Sequence, residues 1–132
     1  MKIREMTKSQ INKLGRIIRG KLQENITLEE EEINSLQDYR ISFKEDLSEV
    51  FKLVVELSRK ERKDNVVSFR IKRIESILSK IKREPTMSLG NMGDIAGCRI
   101  IVHSQNALLN LVKSIKESFQ VVNFNDYVSI PK

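Results

Sequence analysis

The stretch NMGDIAGCRIIV, residues 91–102, sets an acid at the head of an apolar run. CRIIVHS, residues 98–104, is apolar and β-branched, the composition of a strand. The segment before it, EPTMSLGNMG at 84–93, holds Pro85 and two glycines and reads as a loop. Asp94 therefore stands at the mouth of a strand, with Gly93 and Gly97 around it and Arg99 beyond. A carboxylate placed there is costly to desolvate unless a cation sits on it. Downstream, NALLNLVKSIKES (106–118) returns to helical spacing through Leu108, Leu109, Val112 and Ile115, and FQVVNF (119–124) reads as a second strand. Strand, helix and strand of this length predict a right-handed crossover into one sheet.

Upstream the period is helical. Thr7 and Gln10 have capping-box spacing, and Ile11, Leu14, Ile17, Ile18 and Leu22 come after them, which predicts a helix over 8–22. Thr27 and Glu30 repeat the box, and the acids at 29–32 favour a helix start. No Pro or Gly interrupts the chain from Leu28 to Lys63, so this is one very long helix or two with a slight break. A third helix is expected over 66–83, with Ile71, Ile74, Ile77, Leu78 and Ile81 as its buried stripe. Lys72, Arg73, Ser76, Lys80 and Arg83 fall on the opposite face. The expected fold is α+β: long N-terminal helices packed on a small mixed sheet that ends after its second strand.

The chain has 132 residues, enough for one domain with a modest core. No run approaches the roughly 18 apolar residues that span a bilayer. The polar N-terminus, MKIREMTKSQ, has no apolar signal region, so the cytoplasm is the expected compartment and no membrane partner is expected. Cys98 and His103 are the single residues of their types, which excludes an internal disulfide and a zinc cluster. Cys98 reads as a small packed residue and His103 as a cap on the end of the strand. Tyr39 has helix-core spacing. Between Arg59 and Glu84 stand ten Lys and Arg against four Asp and Glu, which accounts for the whole formal net charge of +6. Such a patch suits phosphates, on a nucleotide, a nucleic acid or a membrane surface, and reads equally as a solvated helix face.

Two readings of Asp94 remain open on spacing. It is a turn residue paired with Arg99, or it is a ligand for a hard cation such as Mg²⁺, held jointly with substrate phosphates. In the second reading Lys72, Arg73 and Lys80 neutralise phosphate charge that the metal does not reach.

A resemblance carried by four motifs favours the second. Arg70-x-Lys72, Ser76-Ile77 with Lys80, Asp94-x-x-Gly97-x-Arg99, and Asp126-Tyr127-Val128-x-x-Pro131-Lys132 occur in that order. From about residue 68 to the end the chain resembles the RelA/SpoT pyrophosphokinase domain, the alarmone synthetase. The helical segments before it look like the N-terminal part of single-domain small or toxic alarmone synthetases. The resemblance implies a helical lead over 1–65 and the N-terminal half of a nucleotidyltransferase-like synthetase core over 66–132, together one domain.

The resemblance also implies an activity. The family moves a pyrophosphoryl group from ATP to a ribose 3′-hydroxyl, of GDP or GTP to give (p)ppGpp, or of the tRNA 3′ end in toxic members. Carried over, Asp94 is the catalytic Mg²⁺ ligand, and Arg70, Lys72, Ser76, Lys80 and Lys132 hold ATP phosphates. Asp126 and Tyr127 lie on the acceptor side, and Arg99 supports the strand and the Asp94 loop. A tRNA acceptor would use the further cations Arg59, Lys60, Arg62, Lys63, Lys82 and Arg83 as a path for backbone phosphates.

Departures from the family pattern set further expectations. Asn125 stands where the family usually has Lys. The family continues with G-Y-R-S-x-H and E-x-Q segments that have no counterpart in these 132 residues. The chain therefore reads as an expressed fragment, a natural truncation or a product that lost its catalytic half, inactive by itself. A non-catalytic nucleotide- or RNA-binding module and a helical interaction domain, with homo-oligomers formed through the helices, are the alternatives.

Overall fold

The computed structural model describes residues 6–122 and 124–127. Three helices lead: α1 Lys8–Gln23, α2 Glu30–Ile41 and α3 Lys44–Glu61. After them come strand β1 (Val66–Ile71), helix α4 (Ile74–Arg83), a 3₁₀ turn (Leu89–Asn91), strand β2 (Ala96–Ile101) and helix α5 (Gln105–Ser118). The chain is α+β, and β1 and β2 pair as a two-stranded antiparallel sheet. Among the described residues no helix is long and apolar enough to cross a membrane.

The Thr7–Gln10 capping box forms as expected, with Gln10 N–H donating to Thr7 Oγ1 at 3.2 Å and Thr7 N–H to Gln10 Oε1 at 2.9 Å. The second box moves. α2 starts at Glu30 behind an extended Glu29, whose N–H donates to Glu32 Oε1 at 2.8 Å. Lys21 fixes Glu32 with contacts of 2.8 Å to both carboxylate oxygens, so a cation on α1 selects Glu32 over Glu30 as the reciprocal acid. The long helical run breaks into α2 and α3 at Ser42, whose hydroxyl donates to Tyr39 O at 2.6 Å. Such a back-bond competes with helix continuation without needing Pro or Gly.

Three expectations fail for physical reasons. Residues 66–71 are a strand and not the first turns of a helix, because VVSFRI is β-branched and aromatic with period two. The helix starts only at Ile74, so Lys72 and Arg73 precede it, Arg73 as its extended N-cap. FQVVNF forms no strand over its described residues, so among the described residues no crossover is made and the sheet is antiparallel, not mixed. Phe119 leaves α5 in extended backbone, yet no described strand pairs with residues 120–122, and Val122 stays 94% exposed. Apolar content supplies no ladder by itself.

Packing divides the chain into two units, 1–51 with 68–99, and 52–67 with 100–132. The first is built around Ile11, Ile18, Leu36, Ile77, Ile81, Leu89, Met92 and Ile95, all buried. Helix α1 packs on α4 and on the 3₁₀ turn. A Cβ added at Gly15 would stand 2.7 Å from Leu89 Cβ, so only glycine allows this approach. Gly90 N–H donates to Asn12 Oδ1 at 2.8 Å. The loop before Asp94 is therefore pinned to the core by α1. In the second unit Val54, Ala107 and Leu111 are buried, and Ser104 caps α5 by accepting from Ala107 N–H at 3.1 Å.

Candidate functional site

The site is assembled within the first unit. β1 ends at Ile71 and delivers Lys72, whose N–H donates to Ile95 O at 2.6 Å. Arg40 on α2 donates from Nε to Lys72 O at 2.7 Å. Both backbone polar groups of Lys72 are thus satisfied, and its side chain is aimed by a fixed main chain. Lys80 comes from α4, where Ile77 and Ile81 on the buried stripe fix the rotation of the helix. Asp94 comes from the loop held between the buried Met92 and Ile95.

These three meet. Lys72 Nζ lies 2.7 Å and Lys80 Nζ 3.1 Å from the same oxygen, Asp94 Oδ2. The cations on Asp94 are therefore these two lysines and not Arg99. The lysine side chains are 11% and 17% exposed, against 45% for Asp94, so the carboxylate is the wet member of the cluster. Burial pushes Asp94 up, but the hydrogen bonds and charges of Lys72 and Lys80 outweigh it and hold the carboxyl below its usual range.

Beside the cluster lies an open cleft of about 420 Å³, lined by Phe69 and Arg70 of β1, by Gly93 and Asp94, and by Gly97, Cys98 and Arg99. Arg70 and Arg99 add cations to a wall whose one carboxylate, among the described residues, is Asp94. A Cβ at Gly93 or Gly97 would meet no atom within 4 Å, and neither glycine has a left-handed φ. The fold does not require these glycines. Their effect is to leave backbone bare in the cleft, where a ligand can come close. Phe69 is 57% exposed and packs edge-on against Phe51, ring centroids 4.8 Å apart.

Among the described residues no group of three His, Cys, Asp or Glu can hold a metal ion. Asp94 is a single hard oxygen donor. This fits a Mg²⁺ that takes the rest of its shell from phosphate oxygens and water, the usual way that ion is held.

Ser76 is exposed in the first turn of α4, a helix whose N-cap makes no side-chain hydrogen bond. Asp126 and Tyr127 belong to the second unit, with Tyr127 58% exposed. Lys132 is outside the described residues. Arg62 is committed to Asp64 through two hydrogen bonds of 2.9 and 3.0 Å. His103 Nε2 lies 3.3 Å from Asp64 O. Cys98 is half-buried, and burial pushes its thiol up.

Sequence reading misses two positioning residues. Arg40 holds Lys72, and Arg19 on α1 closes the carbonyl end of α4. Arg19 Nε donates to Ile81 O at 2.8 Å, and its Nη2 donates to Glu84 O at 3.1 Å and to Met87 O. Each is separated from its partner by 32 residues or more, and no local spacing announces such a pair.

No curated protein matches the chain. A family model described as the region found in RelA / SpoT proteins matches residues 69–132. That span contains Arg70, Lys72, Lys80, Asp94, Gly97 and Arg99, the residues of the cleft and its charged cluster. Residues 69–132 match the region found in RelA / SpoT proteins, and the Lys72–Asp94–Lys80 cluster lies inside the matched span.

Proposed function

We propose that the cleft binds the phosphates of ATP and serves a pyrophosphokinase that transfers pyrophosphate to the ribose 3′-hydroxyl of GDP or GTP, giving (p)ppGpp. The observation that carries this reading is the cluster itself: two largely buried lysines converge on one half-exposed aspartate beside an arginine-lined cleft, within the RelA/SpoT region. The match to the RelA / SpoT region supports (p)ppGpp synthesis as the general function.

The reaction joins the acceptor 3′-oxygen to the β-phosphorus of ATP and breaks the bond between that phosphorus and the oxygen of the α-phosphate. AMP departs with the bond electrons, and the hydroxyl proton passes to solvent or a base. No covalent enzyme intermediate is needed, so the protein's work is positioning and charge neutralisation. Lys72, Lys80 and Arg70 would bind the triphosphate, and the bare backbone at Gly93 and Gly97 would let it lie close. Asp94 would hold Mg²⁺, which when bound neutralises and orients phosphate oxygens.

The test is transfer of label from ATP in any form of the protein that is active, with GDP, GTP and deacylated tRNA offered side by side. Label on the guanosine nucleotides, lost in Asp94→Asn with the fold intact, is the expected result. Label on tRNA would assign the other acceptor, and Asp94→Asn activity within about threefold of wild type would remove Asp94 from the metal site.

A further inference from the structure

Among the described residues, Asp94 is both the one carboxylate of the cleft wall and the partner of two ammonium groups. Oδ2 of Asp94 accepts from Lys72 at 2.7 Å and Lys80 at 3.1 Å, so a divalent cation at this carboxylate would stand beside two ammonium groups. Two ammoniums against one carboxylate leave the cluster net positive, and Arg70 and Arg99 line the same cleft. A dication arriving alone would meet repulsion from groups only 11% and 17% exposed, where water screens little.

We propose that Lys72 and Lys80 gate the metal site, closing Asp94 to a divalent cation until a nucleoside polyphosphate draws both ammonium groups onto its own oxygens. This rests on the reading of the cleft as a nucleotide site. The anchoring supports it. The Lys72 backbone is fixed at both its N–H and its carbonyl, and α4 is fixed at its C-terminal end by Arg19. The lysines therefore respond through their side-chain ends and not by retreat of the main chain. A triphosphate carries several negative charges where Asp94 carries one, so it outcompetes the carboxylate for both donors. The freed Asp94 then faces the metal that accompanies the phosphates. Entry is thereby coupled: the metal does not bind without the anion, and Asp94 does not bind it without the exchange.

The test monitors amide resonances of Gly93, Asp94 and Ile95 in the 132-residue chain while Mn²⁺, a paramagnetic stand-in for Mg²⁺, is added. In wild type, Mn²⁺ alone should leave these signals sharp at concentrations that broaden them fully when a non-hydrolysable ATP analogue is present. Lys72→Met on the strand side and Lys80→Met on the helix are made separately, so that a fold defect in one leaves the other to decide. Either should let Mn²⁺ alone broaden the three signals at concentrations at least about tenfold lower than wild type requires, or roughly 1.4 kcal/mol. Equal broadening of wild type and both variants by Mn²⁺ alone overturns the gate. Failure of the analogue to shift any cleft resonance would instead overturn the nucleotide reading, while the Mn²⁺ comparison still decides whether the lysines exclude the cation.

Discussion

The guanidinium of Arg19 donates from Nε to Ile81 O at 2.8 Å and so ties the first helix to the end of the helix that carries Lys80. Its Nη2 satisfies the carbonyl of Glu84 at 3.1 Å and that of Met87 as well. Helix C-terminal carbonyls such as those of Ile81 and Glu84 need such partners, and a rigid fork serves them and the loop carbonyl of Met87 better than an ammonium can. Arg19→Ala is expected to destabilise the fold by about 1–3 kcal/mol. It should also weaken nucleotide binding, because Lys80 loses its fixed base. Arg19→Lys should restore little of either. Denaturant unfolding with nucleotide titration checks this, and full rescue by lysine would mean that charge alone matters.

Two glycines of one helix should respond in opposite directions to the same substitution. Gly15→Ala forces a Cβ against Leu89 Cβ at 2.7 Å and is expected to cost about 1–3 kcal/mol despite better helix propensity. Gly20→Ala meets nothing within 4 Å and should stabilise by about 0.5–1 kcal/mol. Thermal melts of the two variants decide it. Equal behaviour would mean that the α1–turn contact is not tight.

Asp94 also sets a pH dependence. Its carboxyl is held below the ordinary value near 3.8, since the lysine hydrogen bonds and charges outweigh burial. A lowered folded value means that the stabilisation is complete above the ordinary range and is lost as the pH falls through the folded one. The stability difference between wild type and Asp94→Asn should therefore be constant near neutrality and shrink as the pH falls through and below the ordinary carboxylate value near 3.8. A difference that grows on acidification would contradict the ion pairs.

Much of the fold is legible locally. Thr7 and Gln10 announce α1, the β-branched run after Asp94 announces β2, and the Ile77–Ile81 stripe announces α4. Misreading arises where two periods overlap. Ile71 fits both the helical stripe beyond it and the alternating strand that contains it, and strand pairing with β2 decides. Spacing and motif single out Lys72, Lys80 and Asp94 as candidates, but not that both lysines share one oxygen. That depends on the closure of a loop by α1, through Gly15 and Asn12, far away in sequence.

Whether this cleft holds nucleotide phosphates is decided by calorimetric titration of ATP with Mg²⁺ into wild type, Lys80→Met and Gly97→Val. Valine suits an exposed strand position, and the site around Gly97 is open, so Gly97→Val should fold at least as well as wild type. Wild type is expected to bind ATP with an affinity that falls as salt rises. Lys80→Met loses a phosphate partner and Gly97→Val is blocked sterically, so each should bind at least about tenfold more weakly, a difference of roughly 1.4 kcal/mol. Affinities that are equal across the three proteins and indifferent to salt would contradict the assignment of this cleft to nucleotide phosphates.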